Sequence, residues 1–366
     1  MFKQLVIPGP DHRIRRFVIL LISYLIVNIG VVAVFAEQPH CPPKPFKPAT
    51  LSPAFELIGP GKDVDTIDFW EAPDSSKTLM FVTAKGNSLL EVWEYPFLNN
   101  GKPPLYHETF TNCKVNGIII DQETDLMYIS ISRPTSTVSV FRLPDMSFVM
   151  NFNKPGANYG GEPNIALLKL ESGEKRIYVS ADDIIYIHDA ETGRLLDEFE
   201  PPKGVETIVA DPVHQRIFVP DENDRSGVYV FDPDGKFSRQ YKNNPFGTDD
   251  FQKDAEGIII YKCSDENGED NGSGFIVVSD QKKKITEFEF YDRQTWKHLG
   301  FIRIKGVSNT DGIASFQKPL PDYPMGLFVA VNDDMTTVGI GWDVIFKHIQ
   351  NSPEVDADPE PQIRNP

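Results

Sequence analysis

The chain has 366 residues, with 36 basic and 53 acidic side chains and a formal net charge of −17 at pH 7. Such an acidic surface repels nucleic acid and anionic lipid, which excludes both as expected partners; it is compatible with divalent cations, although solubility alone also explains it. Hydrophobic residues form 40% of the chain, and 26 glycines with 30 prolines suit many short strands joined by turns.

Residues 1–36 have the pattern of a signal peptide. Four basic residues precede an apolar run over residues 17–35, and Val34-Phe35-Ala36 has modest or small residues at the positions before a cleavage site. The apolar run is about 19 residues long, so an uncleaved membrane anchor is the alternative. We therefore expect a secreted or periplasmic protein that contacts a membrane only if the leader is retained.

The segments that follow the leader define the remaining boundaries. Residues 37–60 are proline-rich and predict an extended arm, whereas residues 351–366 are acidic and proline-rich and predict a disordered tail. The folded domain is expected over residues 61–350. Export would permit a disulfide, and the three cysteines, Cys41, Cys113 and Cys263, allow one pair and leave one thiol without any zinc-binding spacing.

Six copies of one pattern fill the predicted domain. In each copy a short β-rich run is followed by a polar break and a second, alternating run; the copies begin at Leu79, Leu126, Arg176, Arg216, Gly274 and Gly326. The alternation has the period of two that half-buried strands show, so each copy predicts a β-hairpin. One hairpin cannot bury its apolar face, but six in a ring can. We therefore predict an all-β fold, a six-bladed β-propeller, with a β-sandwich or β-helix as the alternative.

The break in each copy carries polar or charged residues. If the first run of each hairpin lined the central channel, these breaks would lie at the channel mouth. They are Ala84-Lys85, Ser132-Arg133, Asp182-Asp183, Asp221-Glu222, Asp280-Gln281 and Asn332-Asp333. Polar loops are common in any fold, so a single break would carry no prediction of function.

A second set of acidic residues lies upstream of four hairpins: Asp65, Glu206, Asp254, Glu256 and Asp311. Equivalent positions in a ring converge on one axis, and converging carboxylates do not all stay ionised without cations. Carboxylate oxygens in this number favour Ca²⁺ over zinc or copper. The alternative is that each Asp-Gly or Glu-Gly pair forms a turn.

The C-terminal half contains segments that resemble the β-propeller phytases, calcium-dependent six-bladed propellers that hydrolyse phytate. The segments are 254–258 (DAEGI), 309–313 (NTDGI), 323–330 (YPMGLFVA), 341–345 (GWDVI) and, more loosely, 205–207 (VET). They are similar to the family motifs D-x-E-G-[LI], D-T-D-G-I, Y-P-x-G-L-F-V-A, W-x-x-I and T-E-G. The resemblance extends from about Asp63 to Ile345 and is loose in the N-terminal half.

The resemblance implies a monomeric, calcium-dependent phosphomonoesterase that acts on phytate or a related phosphate ester through water attack. It implies Lys85 and Arg133 as phosphate-binding residues. It implies catalytic roles for Glu206, Asp254, Glu256 and Asp311, and a set of metal ligands made of Asp65, Glu206, Glu222, Asp254, Glu256 and Asp311. No Ser-His-Asp or Cys-His pattern competes with this chemistry.

Several positions depart from the family pattern: Thr66 and Asp68 replace an Asp and an Ala, Asn164 lies near an expected Tyr, Asp182 replaces a Lys and Asn332 replaces an Asp. A phytate site must balance a highly anionic substrate with bases and bound cations. Fewer bases and fewer carboxylates both weaken such a site. A non-catalytic propeller that binds a partner or anion through a degenerate site is therefore the second hypothesis.

Overall fold

The computed structural model describes residues 41, 43–97, 106–110, 113–133, 135–154, 159, 161–181, 183–201, 204–205, 207–222, 227–237 and 244–353. All of these belong to one compact unit that begins at Cys41. The predicted leader and most of the predicted acidic tail lie outside the described residues. Within the described part of the chain, no helix has the length and apolar character needed to cross a membrane.

Two short strands, β1 (Ala49–Leu51) and β2 (Phe55–Leu57), lead into the first blade. Blade 1 consists of β3 (Val64–Glu71), β4 (Thr78–Ala84), β5 (Leu89–Glu94) and β6 (Tyr106–Thr109). Blade 2 consists of β7 (Lys114–Asp121), β8 (Leu126–Ser132), β9 (Thr137–Arg142) and β10 (Ser147–Phe152). Blade 3 consists of β11 (Asn164–Lys169), β12 (Lys175–Ala181), β13 (Ile184–Asp189) and β14 (Leu195–Phe199).

Three further blades complete the ring. Blade 4 contains β15 (Val209–Asp211), β16 (Arg216–Asp221) and β17 (Gly227–Phe231) among the described residues. Blade 5 contains β18 (Asp254–Ser264), β19 (Asp270–Gln281), β20 (Glu287–Asp292) and β21 (His298–Ile304). Blade 6 contains β22 (Ile313–Phe316), β23 (Leu327–Asn332) and β24 (Thr336–Gly341), followed by helix α1 (Trp342–Asn351). The prediction of an all-β, six-bladed β-propeller is confirmed.

The predicted hairpins are the second and third strands of their blades, so the assumption that their first runs line the channel was wrong. The inner strand precedes each hairpin; in blade 1 it is β3, which pairs antiparallel with β4 and places Val64 opposite Ala84. Because the two strands run in opposite directions, the start of the inner strand meets the end of the second strand. The upstream carboxylates and the polar breaks therefore lie at the same mouth of the channel.

The segment before blade 1 is built into the last two blades. Strand β2 pairs antiparallel with β24 and becomes the outermost strand of blade 6, while β1 pairs parallel with β21 of blade 5. A disulfide joins Cys41 to Cys263 on β18, with the two Cα atoms 5.8 Å apart. The ring is thus closed by noncovalent pairing and by a covalent link over a separation of 222 residues.

The core consists of apolar clusters between the blades. The cluster between blades 5 and 6 also receives helix α1, whose Trp342 is fully buried, lies 4.4 Å from Tyr261 between ring centroids and donates its indole N–H to Ser315 Oγ at 3.0 Å. Tryptophan buries a large area and its amphipathic ring needs one polar partner, which Ser315 supplies. The W-x-x-I segment therefore seals the last blade against its neighbour.

We expect the disulfide to stabilise the closed ring. Replacing both Cys41 and Cys263 with alanine should lower the free energy of unfolding by about 2–5 kcal/mol, because the cross-link restricts the unfolded chain. Urea unfolding of the oxidised protein and the double variant measures this difference. Cys113→Ala, which removes a thiol outside the disulfide, is the control and should change little; equal midpoints for all three proteins would contradict the expectation.

Candidate active site at the channel mouth

The inner strands of three blades carry a β-bulge at the mouth. Pairing shifts between Val64 and Ile67 in β3, between Val115 and Ile118 in β7, and between Ala255 and Ile258 in β18. A bulge redirects the side chains beside it. Asp65, Asn116 and Glu256 lie in these bulges and are all buried, with exposures of 5%, 1% and 6%.

Glycines after two of the carboxylates let neighbouring inner strands approach closely. A Cβ atom at Gly257 would lie 2.3 Å from the Asp311 carbonyl oxygen, and a Cβ atom at Gly312 would lie 2.0 Å from the Asp65 carbonyl oxygen. Gly257 lies within β18, and Gly312 immediately precedes β22 and is not part of a turn, so the alternative that these Glu-Gly and Asp-Gly pairs form turns is wrong. The glycines instead bring the acidic residues of blades 5, 6 and 1 together.

Carboxylates from three blades surround the ammonium group of Lys85. Its Nζ atom lies 2.9 Å from Glu162 Oε2, 3.5 Å from Asp65 Oδ1 and 3.6 Å from Asp311 Oδ2. Lys85 begins a short 3₁₀ turn after β4 and its side chain is only 8% exposed. The residues predicted to bind phosphate and metal thus converge, although Glu162 was not among them.

A second base, Lys114, also lies at this mouth. It is the first residue of β7, and its Nζ atom donates to Glu162 Oε1, so the Glu162 carboxylate joins Lys114 to Lys85. Sequence reasoning missed Lys114 and Glu162 because neither follows a hairpin run. Asn116 had a usable signal: like Asp65, Glu256 and Asp311, it stands two residues before an isoleucine of its inner strand.

Blade 5 contributes Asp254, the first residue of β18, and Gln281, which contacts Asp311. Asp254 pairs with Gln281 in the β18–β19 register, and Gln281 Nε2 donates to Asp311 Oδ1 at 2.5 Å. Thr207 Oγ1 donates to the Glu256 carbonyl oxygen, which ties blade 4 to the β18 bulge. Asp254 and Glu256 therefore lie on the same side of the ring as Asp311.

The other predicted site residues have looser positions. Arg133 follows β8 with a φ of 58° and is exposed, and Glu222 follows β16 and donates its backbone N–H to the Gly204 carbonyl oxygen at 3.1 Å. Glu206 and Asp182 lie outside the described residues. Asn332 bonds locally, accepting from the Ser308 N–H at 3.1 Å.

Three further carboxylates meet on β19 and β20. Oxygens of Asp280, Glu287 and Glu289 lie within 4.8 Å of one another, and all three residues are buried. Lys282 contacts both Asp280 and Glu287, and His298 Nε2 lies 2.7 Å from Glu289 Oε2. Burial raises the pKa of Glu289 to about 7 despite the His298 contact. The basic residues Lys282 and His298 therefore already balance part of the negative charge of these three carboxylates.

Asp68, which was not among the predicted site residues, is one of the acids that line the channel. The cavity has a volume of about 410 Å³, and isoleucine is the commonest residue type in its lining. Asp68 lies on β3 within this lining and accepts backbone N–H groups from Phe69 at 2.8 Å and Ile120 at 2.7 Å. Burial raises its pKa to about 7, even though these bonds lower it. Asp68 thus links blades 1 and 2 across the channel wall.

We expect Asp68 to make stability depend on pH. Its pKa is about 7 in the folded state and near 4 when unfolded, so between these values the folded state binds a proton that the unfolded state lacks, and stability falls as pH rises. Asp68→Asn removes this pH-dependent loss of stability but leaves one of the two backbone N–H groups without its acceptor. Relative to the parent protein, the variant should gain about 2–3 kcal/mol between pH 5 and pH 8. Urea unfolding at both pH values measures it; a constant difference would contradict the expectation.

The close approach at Gly312 predicts a steric effect. A Cβ atom there would meet the Asp65 carbonyl oxygen at 2.0 Å, so Gly312→Ala should lower the free energy of unfolding by about 2 kcal/mol or more. Gly306→Ala is the comparison, because its Cβ meets nothing within 4 Å and only its positive φ costs about 1 kcal/mol. Denaturant titrations compare the two; equal losses would argue against the packing role of Gly312.

Comparison with known proteins gives a family match. A family model described as Phytase matches residues 164–364, more than half of the chain. A 3-phytase of Bacillus subtilis (strain 168) is 26% identical over 188 residues, which cover 47% of this chain and 47% of that protein; the match therefore spans about half the length of this curated relative. The Neurospora crassa Pan2 WD40 domain aligns with a TM-score of 0.45 at 12% identity, covering 74% of this chain and 73% of that one. Together with the six-bladed fold, the family match shows that the chain belongs to the phytase family.

Proposed function

We propose that the protein is a calcium-dependent phosphomonoesterase that hydrolyses phytate or a related phosphate ester. The observation that carries the proposal is the cluster around Lys85, in which Asp65, Glu162 and Asp311 from three blades share one ammonium group. A site for a phosphate ester needs bases for the substrate and carboxylates for cations in one place. Membership in the phytase family supports this assignment.

The side chains at the mouth fit a calcium ion. Their donors are carboxylate oxygens, which are the ligands that Ca²⁺ prefers. The position of Lys85 Nζ, within 3.6 Å of carboxylate oxygens from three blades, shows that the site already accommodates a positive charge. Asp65, Asp254, Glu256 and Asp311 would hold the ion, and we include Glu206 and Glu222 in the proposed ligand set. A bound calcium ion neutralises phosphate charge and lowers the pKa of a bound water.

The chain's own residues bind the substrate and manage the proton. Lys85 and Arg133 would donate to phosphate oxygens, and the exposed Arg133 would contact a phosphate that remains outside the mouth. The carboxylates, led by the buried Glu256, would accept the proton of the attacking water. Glu206, Asp254 and Asp311 complete the proposed catalytic set.

We also propose that the protein is an exported monomer. The disulfide between Cys41 and Cys263 supports export, because disulfides persist in oxidising compartments and are rare in the reducing cytosol. The leader is then removed, or it anchors the protein to a membrane. A phosphorylated small molecule is the proposed partner.

Phosphate release tests the proposed function. Purified protein should release phosphate from phytate, and to a lesser extent from an aryl phosphate, in Ca²⁺ and not in excess chelator. Asp311→Asn and Glu256→Gln should each lower kcat/KM by about 100-fold or more, because each removes charge from the reacting centre. Glu123→Gln, which alters an exposed carboxylate paired with Lys169 away from the mouth, should leave the rate unchanged.

Calcium should also stabilise the fold if it binds only the native state. Chelation should then lower the melting temperature of the parent protein, and less so that of Asp311→Asn. Absence of phosphate release under every condition would reject the enzyme. Calorimetric binding of phytate without release of phosphate would instead support the second candidate, a non-catalytic propeller that binds an anion. Asn164 and Asn332 favour this candidate, because they are amides at positions where the family has ionisable or phenolic groups.

A further inference from the structure

The carboxylate of Glu162 holds two lysines from different blades at once. Its Oε2 atom lies 2.9 Å from Lys85 Nζ of blade 1, and its Oε1 atom accepts from Lys114 Nζ of blade 2. In the part of the chain that the structure describes, Glu162 forms its ion pairs with these two lysines. A phosphate binds two lysines in the same way, because two of its anionic oxygens, on one central atom, each face one ammonium group.

Glu162 is placed where an anion from solvent can replace it. Its side chain is 34% exposed and that of Lys114 27%, whereas Lys85 beneath them is 8% exposed. Glu162 lies before β11, so no strand pairing of its own fixes the residue. An incoming anion therefore reaches the two ammonium groups by moving one partly exposed side chain.

The charge of Glu162 persists at neutral pH. Partial burial raises the pKa of its carboxyl group, but the hydrogen bonds from Lys114 and Lys85 lower this pKa by more than burial raises it, so the net shift is downward. The group is therefore an anion whenever the site operates. It competes with any other anion for the same two lysines.

An additional donor lies on β7, two residues after Lys114. The side-chain Nδ2 atom of Asn116 is buried and has no hydrogen-bond partner in the residues that the structure describes, while its Oδ1 atom accepts from Ser132 at 2.9 Å. The next residue, Gly117, donates its N–H to the Pro163 carbonyl oxygen at 3.3 Å, which places the β7 bulge next to Glu162. A buried amide N–H without an acceptor is costly unless a ligand or water completes it.

We propose that Lys114 is a phosphate-binding residue of this mouth and that Glu162 is a built-in competitor, which occupies Lys85 and Lys114 until a substrate phosphate displaces it. The proposal rests on the proposed function, since the displacing anion is a phosphate of the substrate. Lys114 thereby replaces the base that the sequence lacks at Asp182. Empty of substrate, the site keeps its two buried or half-buried lysines neutralised.

The opposite end of the channel offers a matched control. There Glu123 holds Lys169 at 2.7 Å and Lys175 at 3.0 Å, so one carboxylate again joins two lysines. Lys169 is the last residue of β11, whose first residue lies at the mouth. Glu123→Gln therefore adds the same unit of charge and releases Lys169, while Lys175 keeps its contact with Asp121, and the change lies away from the proposed site.

The decisive measurement is calorimetric binding of inorganic phosphate and of phytate, in chelator, to the full protein and its variants. Glu162→Gln should bind both anions about tenfold more tightly, because one charge-assisted competitor is lost. Lys114→Gln should bind them about tenfold more weakly. Glu123→Gln should bind like the parent protein. Melting temperatures of all variants verify that each is folded.

Kinetics separate this inference from the proposed function. In the active protein, Glu162→Gln should lower KM several-fold with little change in kcat, since only anion exchange is altered. Three results would overturn the inference even if the parent protein hydrolyses phytate. They are weaker phosphate binding by Glu162→Gln, a loss of calcium affinity in that variant, and unchanged phosphate binding by Lys114→Gln. Failure of all hydrolysis would reject the enzyme, and the binding data would still decide the roles of Lys114 and Glu162.

Discussion

Mutual repulsion of carboxylates is the constraint on which the channel mouth depends. The glycines at 257 and 312 let inner strands pack backbone against backbone, so acidic residues of separate blades are forced to share one small volume. Burial of like charges is costly unless a cation compensates for them. In this structure the compensating charge is Lys85, and its contacts with three blades make the mouth an electrostatic joint as well as a binding site.

The same constraint explains why bases and acids alternate around the rim. A site with carboxylates alone would repel a phosphate ester, and a site with lysines alone would have no place for a divalent cation. The arrangement Lys114, Glu162, Lys85, Asp65 keeps both kinds of group within reach of one another. Each pairing can be exchanged for a pairing with substrate or metal without leaving a buried charge alone.

The number of blades was predictable from the sequence because second and third strands alternate, with one face towards each neighbouring blade. The inner strands were not, because several of them read as short continuous apolar runs, such as Ile118–Ile120 and Ile258–Ile260, rather than as alternating strands. The family motifs singled out Asp254, Glu256 and Asp311, which lie at one mouth of the channel. The roles of Lys114 and Glu162 were not predicted, because their contacts join blades 2 and 3 to blade 1. No local sequence pattern indicates a contact between residues that far apart in the chain.

The pairing of β2 with β24 has a consequence for the order of events during folding. Strand β2 is among the first parts of the domain to be synthesised, yet its partner, β24, ends at Gly341 and is among the last. Until that strand arrives, blade 6 lacks its outer edge, and β2 has no partner in the ring. Exposed strand edges are sites of mispairing, and contacts of such long sequence separation form slowly. The ring therefore cannot close progressively from its N-terminus: it becomes complete in one late step, when both ends of the chain are present.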